Sequence, residues 1–258
     1  MLLIIGGHPR SGTTLLYHLC DNHPDIAVTL EFKNFQFVGQ PYLEYSRNMI
    51  KYGMKKEEAF DSSYQWNKYK KLRNLVFATR YLLILRRYCR KRISFEAIEM
   101  ALKRMYPQSI IMGDKYPDYI FMTEKFLKAD RLYRVVIYRD CRDVTSSFLR
   151  QVRTEWKDLP WINGVNTAKG IAEKWVRAIE VMGLHADKLH IIRYENLVQQ
   201  PKQTMERLGE YLGIDPSGFR VRMPKAGSIS KYKQGLTEEE LADVMEIAGP
   251  TMARLGYA

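Results

Sequence analysis

Ile4-Ile5-Gly6-Gly7-His8-Pro9-Arg10-Ser11-Gly12-Thr13-Thr14-Leu15-Leu16 is the stretch that decides how this chain folds. An apolar run ends in two glycines. A short loop carrying Arg10 and three hydroxyls follows, and then Leu15, Leu16 and Leu19 recur on one helical face, with Asp21 and Asn22 near its end. Strand, tight loop, helix is the arrangement that aims backbone N–H groups and a helix N-terminus at an anion. Gly12 leaves room for that anion, since it carries no Cβ, and Arg10 adds a fork of donors suited to a phosphate or sulfate face. The pattern predicts a strand over residues 2–6 and a helix over 13–23, ended by Pro24.

The spacing Gly7-x-x-x-x-Gly12 is that of a Walker A loop, but Thr13 stands where the nucleotide-hydrolysing pattern has lysine. That lysine reaches the β- and γ-phosphates, and the hydroxyl after it holds Mg²⁺. Here the cation lies inside the loop, which suits a terminal group that needs no metal. Pro9-Arg10-Ser11-Gly12-Thr13-Thr14-Leu15 resembles the 5′-phosphosulfate loop of sulfotransferases that use 3′-phosphoadenosine 5′-phosphosulfate (PAPS) and release 3′-phosphoadenosine 5′-phosphate (PAP). The resemblance implies that Arg10 and the backbone of Ser11, Gly12, Thr13 and Thr14 hold the phosphosulfate.

Downstream, Ile26 to Leu30 reads as a second strand that delivers Glu31 at its end, where α/β sheets place their ligands. Tyrosylprotein sulfotransferases carry a catalytic glutamate at a matching position after the loop arginine. An attacking hydroxyl must lose its proton, and a positioned carboxylate can take it. His8 is the competing base, although a residue before proline is held extended and can simply pack. Ser109 to Met112 reads as a third strand, followed by Gly113-Asp114-Lys115-Tyr116-Pro117. This segment is similar to the family's catalytic-lysine segment, which makes Lys115 the residue that stabilises charge on the leaving oxygen.

Tyr133 to Tyr138 predicts a fourth strand, leading into Arg139-Asp140-Cys141-Arg142-Asp143-Val144-Thr145-Ser146-Ser147. In the family, an arginine at this strand end and a serine eight residues on grip the 3′-phosphate; here they are Arg139 and Ser147. Ser146 is a near neighbour, and Arg142 has Asp140 and Asp143 as alternative partners. Leu189 to Arg193 reads as a fifth strand, after which Tyr194 matches the residue near the adenine. Within Ser228 to Gln234, Ser230-Lys231-Tyr232 resembles the C-terminal tyrosylprotein sulfotransferase segment, in which a serine and a lysine approach the donor. Ser230 therefore joins Arg10, Glu31 and Lys115 as a candidate catalytic residue, and Lys231 joins the donor-binding set.

The remaining stretches give structure rather than chemistry. Ile171, Trp175, Ile179 and Met182 form one helical stripe, as expected of core. Pro201 opens a helix that Gly213 stops. Thr237 and Glu240 form a capping box, and Pro250 is expected to break or kink the helix that follows. Residues 33–107 lie outside the family motifs and read as a basic helical insertion: between Lys68 and Arg104 the only carboxylates are Glu96 and Glu99. Such a region suits either a cap with a solvated basic face or a lid that attracts anionic acceptors or a membrane surface.

The chain has 258 residues, is 46% hydrophobic and carries a formal charge of +12, enough for a sizeable core and favourable to anionic ligands. Cys20, Cys89 and Cys141 are odd in number and widely spaced, fitting neither a disulfide framework nor a zinc pattern, and a reducing, cytoplasmic setting is the simplest. No signal peptide, spanning segment or nucleic-acid motif is evident. The expectation is therefore a single α/β sulfotransferase domain over residues 1–258, P-loop-like and three-layered, with a central, mostly parallel sheet. It would transfer a sulfuryl group from PAPS to a hydroxyl of tyrosine, carbohydrate or a small molecule, with lysine and arginine in place of a metal ion. A nucleotide kinase on the same loop and a non-catalytic basic module for anions or membranes are the alternatives.

Overall fold

The structure is a computed structural model that describes residues 1–56, 60, 70–156, 166–221 and 229–257. Lys68 of the basic run and Ser228 of the C-terminal segment lie outside these residues. The chain divides into two compact units. One comprises Met1–Ile5, Thr14–Arg134 and Ser217–Arg220, the other Gly6–Thr13, Val135–Pro216 and Val221–Ala258.

The first unit holds β1 (Leu2–Gly7) as far as Ile5, α1 (Thr13–Asp21) from Thr14, β2 (Ile26–Leu30), α2 (Tyr42–Lys55), α3 (Lys70–Arg86), α4 (Phe95–Met105), β3 (Ile111–Lys115) and α5 (Thr123–Phe126). β3 lies between β2 and β1, parallel to both, with Leu2 to Ile5 opposite Met112 to Lys115 and Ile26 to Leu30 opposite Ile111 to Lys115. Strands buried on both faces read as unbroken apolar runs, which is why β1 and β2 are visible in the sequence. β3 corrects the sequence reading. It starts two residues later than expected and continues through Gly113, Asp114 and Lys115, all buried. Gly113 permits this, because a Cβ there would overlap the Leu3 carbonyl. The two polar residues stay in the strand because neighbouring groups pair with them.

The basic insertion belongs to the core of this unit. Phe32 packs edge-on against Phe60, Phe77 and Tyr81 with ring centroids 4.8–5.0 Å apart, so α3 rests directly on the residue after Glu31. Aromatic pairs of this kind contribute about 0.5–1.5 kcal/mol beyond burial. Arg80, Arg86, Arg87, Arg90, Lys91 and Arg92 are exposed, whereas Arg73 is buried.

The second unit holds β4 (Leu132–Tyr138) from Val135, α6 (Cys141–Arg153), α7 (Ala168–Leu184), β5 (His190–Arg193), α8 (Tyr194–Gln199), α9 (Pro201–Leu212), α10 (Tyr232–Gly235) and α11 (Glu238–Arg254). β4 and β5 are parallel, Val135 to Tyr138 opposite His190 to Arg193. The expected stripe on α7 is buried. Pro201 occupies the first turn of α9, and Gly213 closes it in the left-handed conformation at φ 66°. The Thr237–Glu240 capping box forms. Pro250 does not break α11, which runs on to Arg254. Proline removes one backbone donor, but Val244, Ala248, Thr251 and Met252 are buried on one side of α11 and keep its last turns in place. Among the described residues, no helix is long and apolar enough to cross a membrane.

Candidate active site

Three features shape the loop between β1 and α1. Gly7, Arg10 and Gly12 all have positive φ, at 146°, 71° and 98°, and the Ser11 amide turns back to the His8 carbonyl at 3.1 Å. A side chain at Gly12 would overlap the Tyr194 ring, and one at Gly7 the Ile137 carbonyl. Left-handed backbone at a non-glycine such as Arg10 is strained by about 1–3 kcal/mol and persists where the surroundings over-determine it. The Ser11 hydroxyl is fully buried and has no hydrogen-bond partner among the described residues. It is an orphaned donor beside the first turn of α1, whose N–H groups also lack helical acceptors. Gly12→Ala is expected to destabilise the protein by about 1–3 kcal/mol, through both the Tyr194 overlap and the φ. An unchanged midpoint in thermal unfolding would contradict that reading of the loop.

Arg10 leads from the loop to α6. Its Nε donates to Ser147 Oγ at 3.0 Å, and its guanidinium lies 5.9 Å from the Trp156 ring centre. Burial, followed by the like charges of Arg150 and Arg139, pushes its pKa down despite Glu155. A cluster of guanidiniums whose charges disfavour one another is relieved by an anion. Arg139 pairs with Asp143 at 3.1 Å and lies 4.6 Å from the centre of the Tyr194 ring. Tyr194 is thus wedged between Gly12 and Arg139. Arg142 turns away to Asp140 at 2.7 Å, which settles its choice between the two aspartates.

The C-terminal segment is tied to the same helix. Asp143 accepts from the backbone nitrogens of Ser230 at 2.9 Å and Tyr232 at 3.0 Å, so one buried carboxylate holds Arg139 and this segment together. Ser230 is exposed at φ 61° and contributes its amide to this contact. Lys231 is exposed and immediately precedes the short α10 as its N-cap.

Glu31, Lys115 and Thr14 form the other cluster, within the first unit. Lys115 Nζ donates to Glu31 Oε1 at 2.7 Å and to Thr14 Oγ1 at 3.2 Å. A second cation, Lys56 Nζ, approaches Glu31 Oε2 at 3.5 Å. Burial would raise the Glu31 carboxyl, but Lys115, Lys56 and Lys33 outweigh it and hold the group below the usual carboxylate range. Glu31 therefore stays ionised at neutral pH, the state a base needs. His8 is 1% exposed, with Nδ1 2.7 Å from the Pro9 carbonyl and its ring against Phe148. It is packed in the way its position before a proline suggested.

Sequence reasoning missed Lys56 and the anchoring role of Asp143. Lys56 caps α2, far from any motif, and nothing in its spacing reveals it. Asp143 lies inside a motif, but two of its partners are contributed from nearly ninety residues away.

A sequence model described as "Sulfotransferase family" matches residues 3–217 of the chain. The chain belongs to the sulfotransferase family. Protein-tyrosine sulfotransferase 2 of Gallus gallus is 26% identical to this sulfotransferase over an alignment covering 99% of the chain and 69% of the relative. Protein-tyrosine sulfotransferase 1 of Danio rerio is 24% identical, covering 99% and 72%. Among solved structures, the sulfotransferase domain from the curacin biosynthetic pathway superposes with a TM-score of 0.62 at 17% identity, covering 100% of this chain and 98% of that one. The sulfotransferase domain of the Synechococcus PCC 7002 olefin synthase also gives 0.62 at 17% identity, covering 97% and 94%. At that identity the structures speak for the fold alone, which is the α/β sulfotransferase fold. The activity of this sulfotransferase is transfer of a sulfuryl group to an acceptor hydroxyl.

Proposed function

We propose that this sulfotransferase takes its sulfuryl group from PAPS and passes it to a phenolic hydroxyl of the tyrosine type. The observation that carries the donor is the 3.0 Å hydrogen bond from Arg10 to Ser147. It joins the residue expected at the 5′-phosphosulfate to the residue expected at the 3′-phosphate, across 137 residues of sequence and within one compact unit. The buried, unpartnered Ser11 hydroxyl supports an anion at the loop. Arg139 supports a second anion, since Asp143 and Tyr194 hold its guanidinium in place.

The residues divide the work as follows. Arg10 and the backbone of residues 11–14 bind the phosphosulfate. Arg139 and Ser147 bind the 3′-phosphate, Tyr194 braces the loop and the guanidinium, and Ser230 and Lys231 flank the donor. Lys115 bears on the oxygen that accumulates charge as the S–O bond breaks, and Glu31 accepts the proton of the attacking hydroxyl. The donor supplies an activated sulfuryl group. The names of the relatives, both protein-tyrosine sulfotransferases, support tyrosine as the first acceptor to try.

Calorimetry with PAP and AMP tests the donor. PAP is expected to bind at least about tenfold more tightly, because a charge-assisted hydrogen bond to the extra phosphate contributes about 1.5–3 kcal/mol. Equal affinities would overturn the donor assignment. Phosphoryl transfer from ATP with Mg²⁺ in a parallel assay would favour a kinase.

A further inference from the structure

We infer that Asp114 is a positioning residue for Glu31: its buried carboxylate locks the chain after β2 in the left-handed turn that presents Glu31 to Lys115. The role rests on Glu31 being the general base.

Asp114 is fully buried, and its carboxylate accepts from four donors. Oδ1 accepts from Thr29 Oγ1 at 2.6 Å and from the Phe32 amide at 2.8 Å. Oδ2 accepts from the Lys33 amide at 2.9 Å and from the Tyr119 hydroxyl at 2.6 Å. The two amides belong to a segment with unusual backbone: Glu31 has φ 54° and Lys33 has φ 61°. Neither is glycine, and left-handed backbone brings the Cβ of an L-residue too close to its own carbonyl. Two such residues flanking Phe32 need an external clamp, and Asp114 supplies it by gathering both following amides.

The clamp acts on Glu31 through geometry alone. Among the described residues, the hydrogen-bond partners of Asp114 do not include the Glu31 side chain. Thr29 and Asp114 are opposite one another in the β2–β3 register, as are Leu30 and Lys115, and the Glu31 amide donates to the Lys115 carbonyl at 2.7 Å. The strand that carries the leaving-group lysine therefore also holds the turn that carries the base. Without the clamp, two amides are buried without acceptors, the chain relaxes towards the extended form, and Glu31 loses its register with Lys115. An asparagine is a poor replacement, because its NH₂ would face a pair of donors on either side.

Asp114→Asn is expected to lower kcat about 10–100-fold and leave PAP affinity within twofold, since the donor-binding residues are elsewhere. In a Glu31→Gln background the same change should cause no further loss, because residues acting through one group are not additive. Lys33→Gly in the Asp114→Asn protein should recover kcat at least fivefold, and Lys33→Ala should not. Both remove the cation, but only glycine takes the left-handed conformation freely.

A kcat within twofold of wild type, an equal fall in PAP affinity, a further loss in the Glu31→Gln background, or equal effects of glycine and alanine would each overturn the proposal. If Asp114→Asn does not fold, Tyr119→Phe removes only one donor to the carboxylate. It should then lower kcat at least threefold at constant PAP affinity, and no change would overturn the assignment. Full activity of Glu31→Gln alone would instead overturn the general-base reading, so the two failures are distinguishable.

Discussion

Lys115→Ala slows turnover at saturating donor about 10²–10³-fold while weakening PAP binding less than tenfold. The size follows from what preorganised charge contributes at a developing oxyanion in a site that excludes water. Lys115 Nζ is almost fully buried and held by Thr14 and Glu31 at 3.2 and 2.7 Å, so its charge is in place before the reaction begins. Charge on the departing oxygen is greatest in the transition state, so the benefit is differential and appears in kcat rather than in product affinity. The substitution has a second signature. Lys115 is the strongest of the cations that lower the Glu31 carboxyl. Its loss moves that pKa upwards, Glu31 is then protonated up to a higher pH, and the acid limb of the kcat profile shifts to higher pH. Calorimetry with PAP and pH-dependent rates on one phenolic acceptor check both parts. A variant that loses PAP affinity as steeply as it loses turnover would make Lys115 a binding residue only.

Glu31→Gln is expected to cost ~10²–10⁴-fold in turnover, the usual contribution of a positioned general base, with donor binding intact. Glutamine keeps the size and one acceptor oxygen but cannot take a proton. His8→Asn should change turnover less than tenfold. The imidazole is buried, its Nδ1 is placed against the Pro9 carbonyl, and its ring packs on Phe148. Glu31 is 26% exposed at its side chain, so an acceptor can reach it. Donor-saturated rates of both variants on the same acceptor decide the matter. An inactive His8→Asn beside a near-normal Glu31→Gln would reverse the two roles.

The sequence by itself determined the parts of this sulfotransferase that depend on near neighbours in the chain. The loop from Gly6 to Thr14 is legible because glycine spacing, a buried apolar strand and a helix start all act within a few residues. Arg139 and Ser147 are legible for the same reason, since one strand end and two helical turns set their separation. Caps behave alike: Thr237 with Glu240, and Gly213, each satisfy backbone groups in their own helix, and Pro201 removes a donor that the first turn would leave unpaired. Where a purely local rule met distant packing, it fell short. Pro250 was expected to break or kink a helix that runs on to Arg254, and the apolar part of the third strand was expected over Ser109 to Met112.

Only the tertiary structure decided what surrounds the candidate residues. Nothing local in the sequence at Glu31 calls for a positive φ, and the donors that make it possible surround Asp114 from β2, the turn after it and Tyr119. Lys56 meets Glu31 because α2 ends beside it, and Asp143 gathers Arg139, Ser230 and Tyr232 because the chain returns to α6 after nearly ninety residues. A buried charge is tolerable only when partners satisfy it, and those partners are fixed by how the strands and helices pack. Sequence spacing therefore names the candidate residues, while long-range packing sets their surroundings and aim.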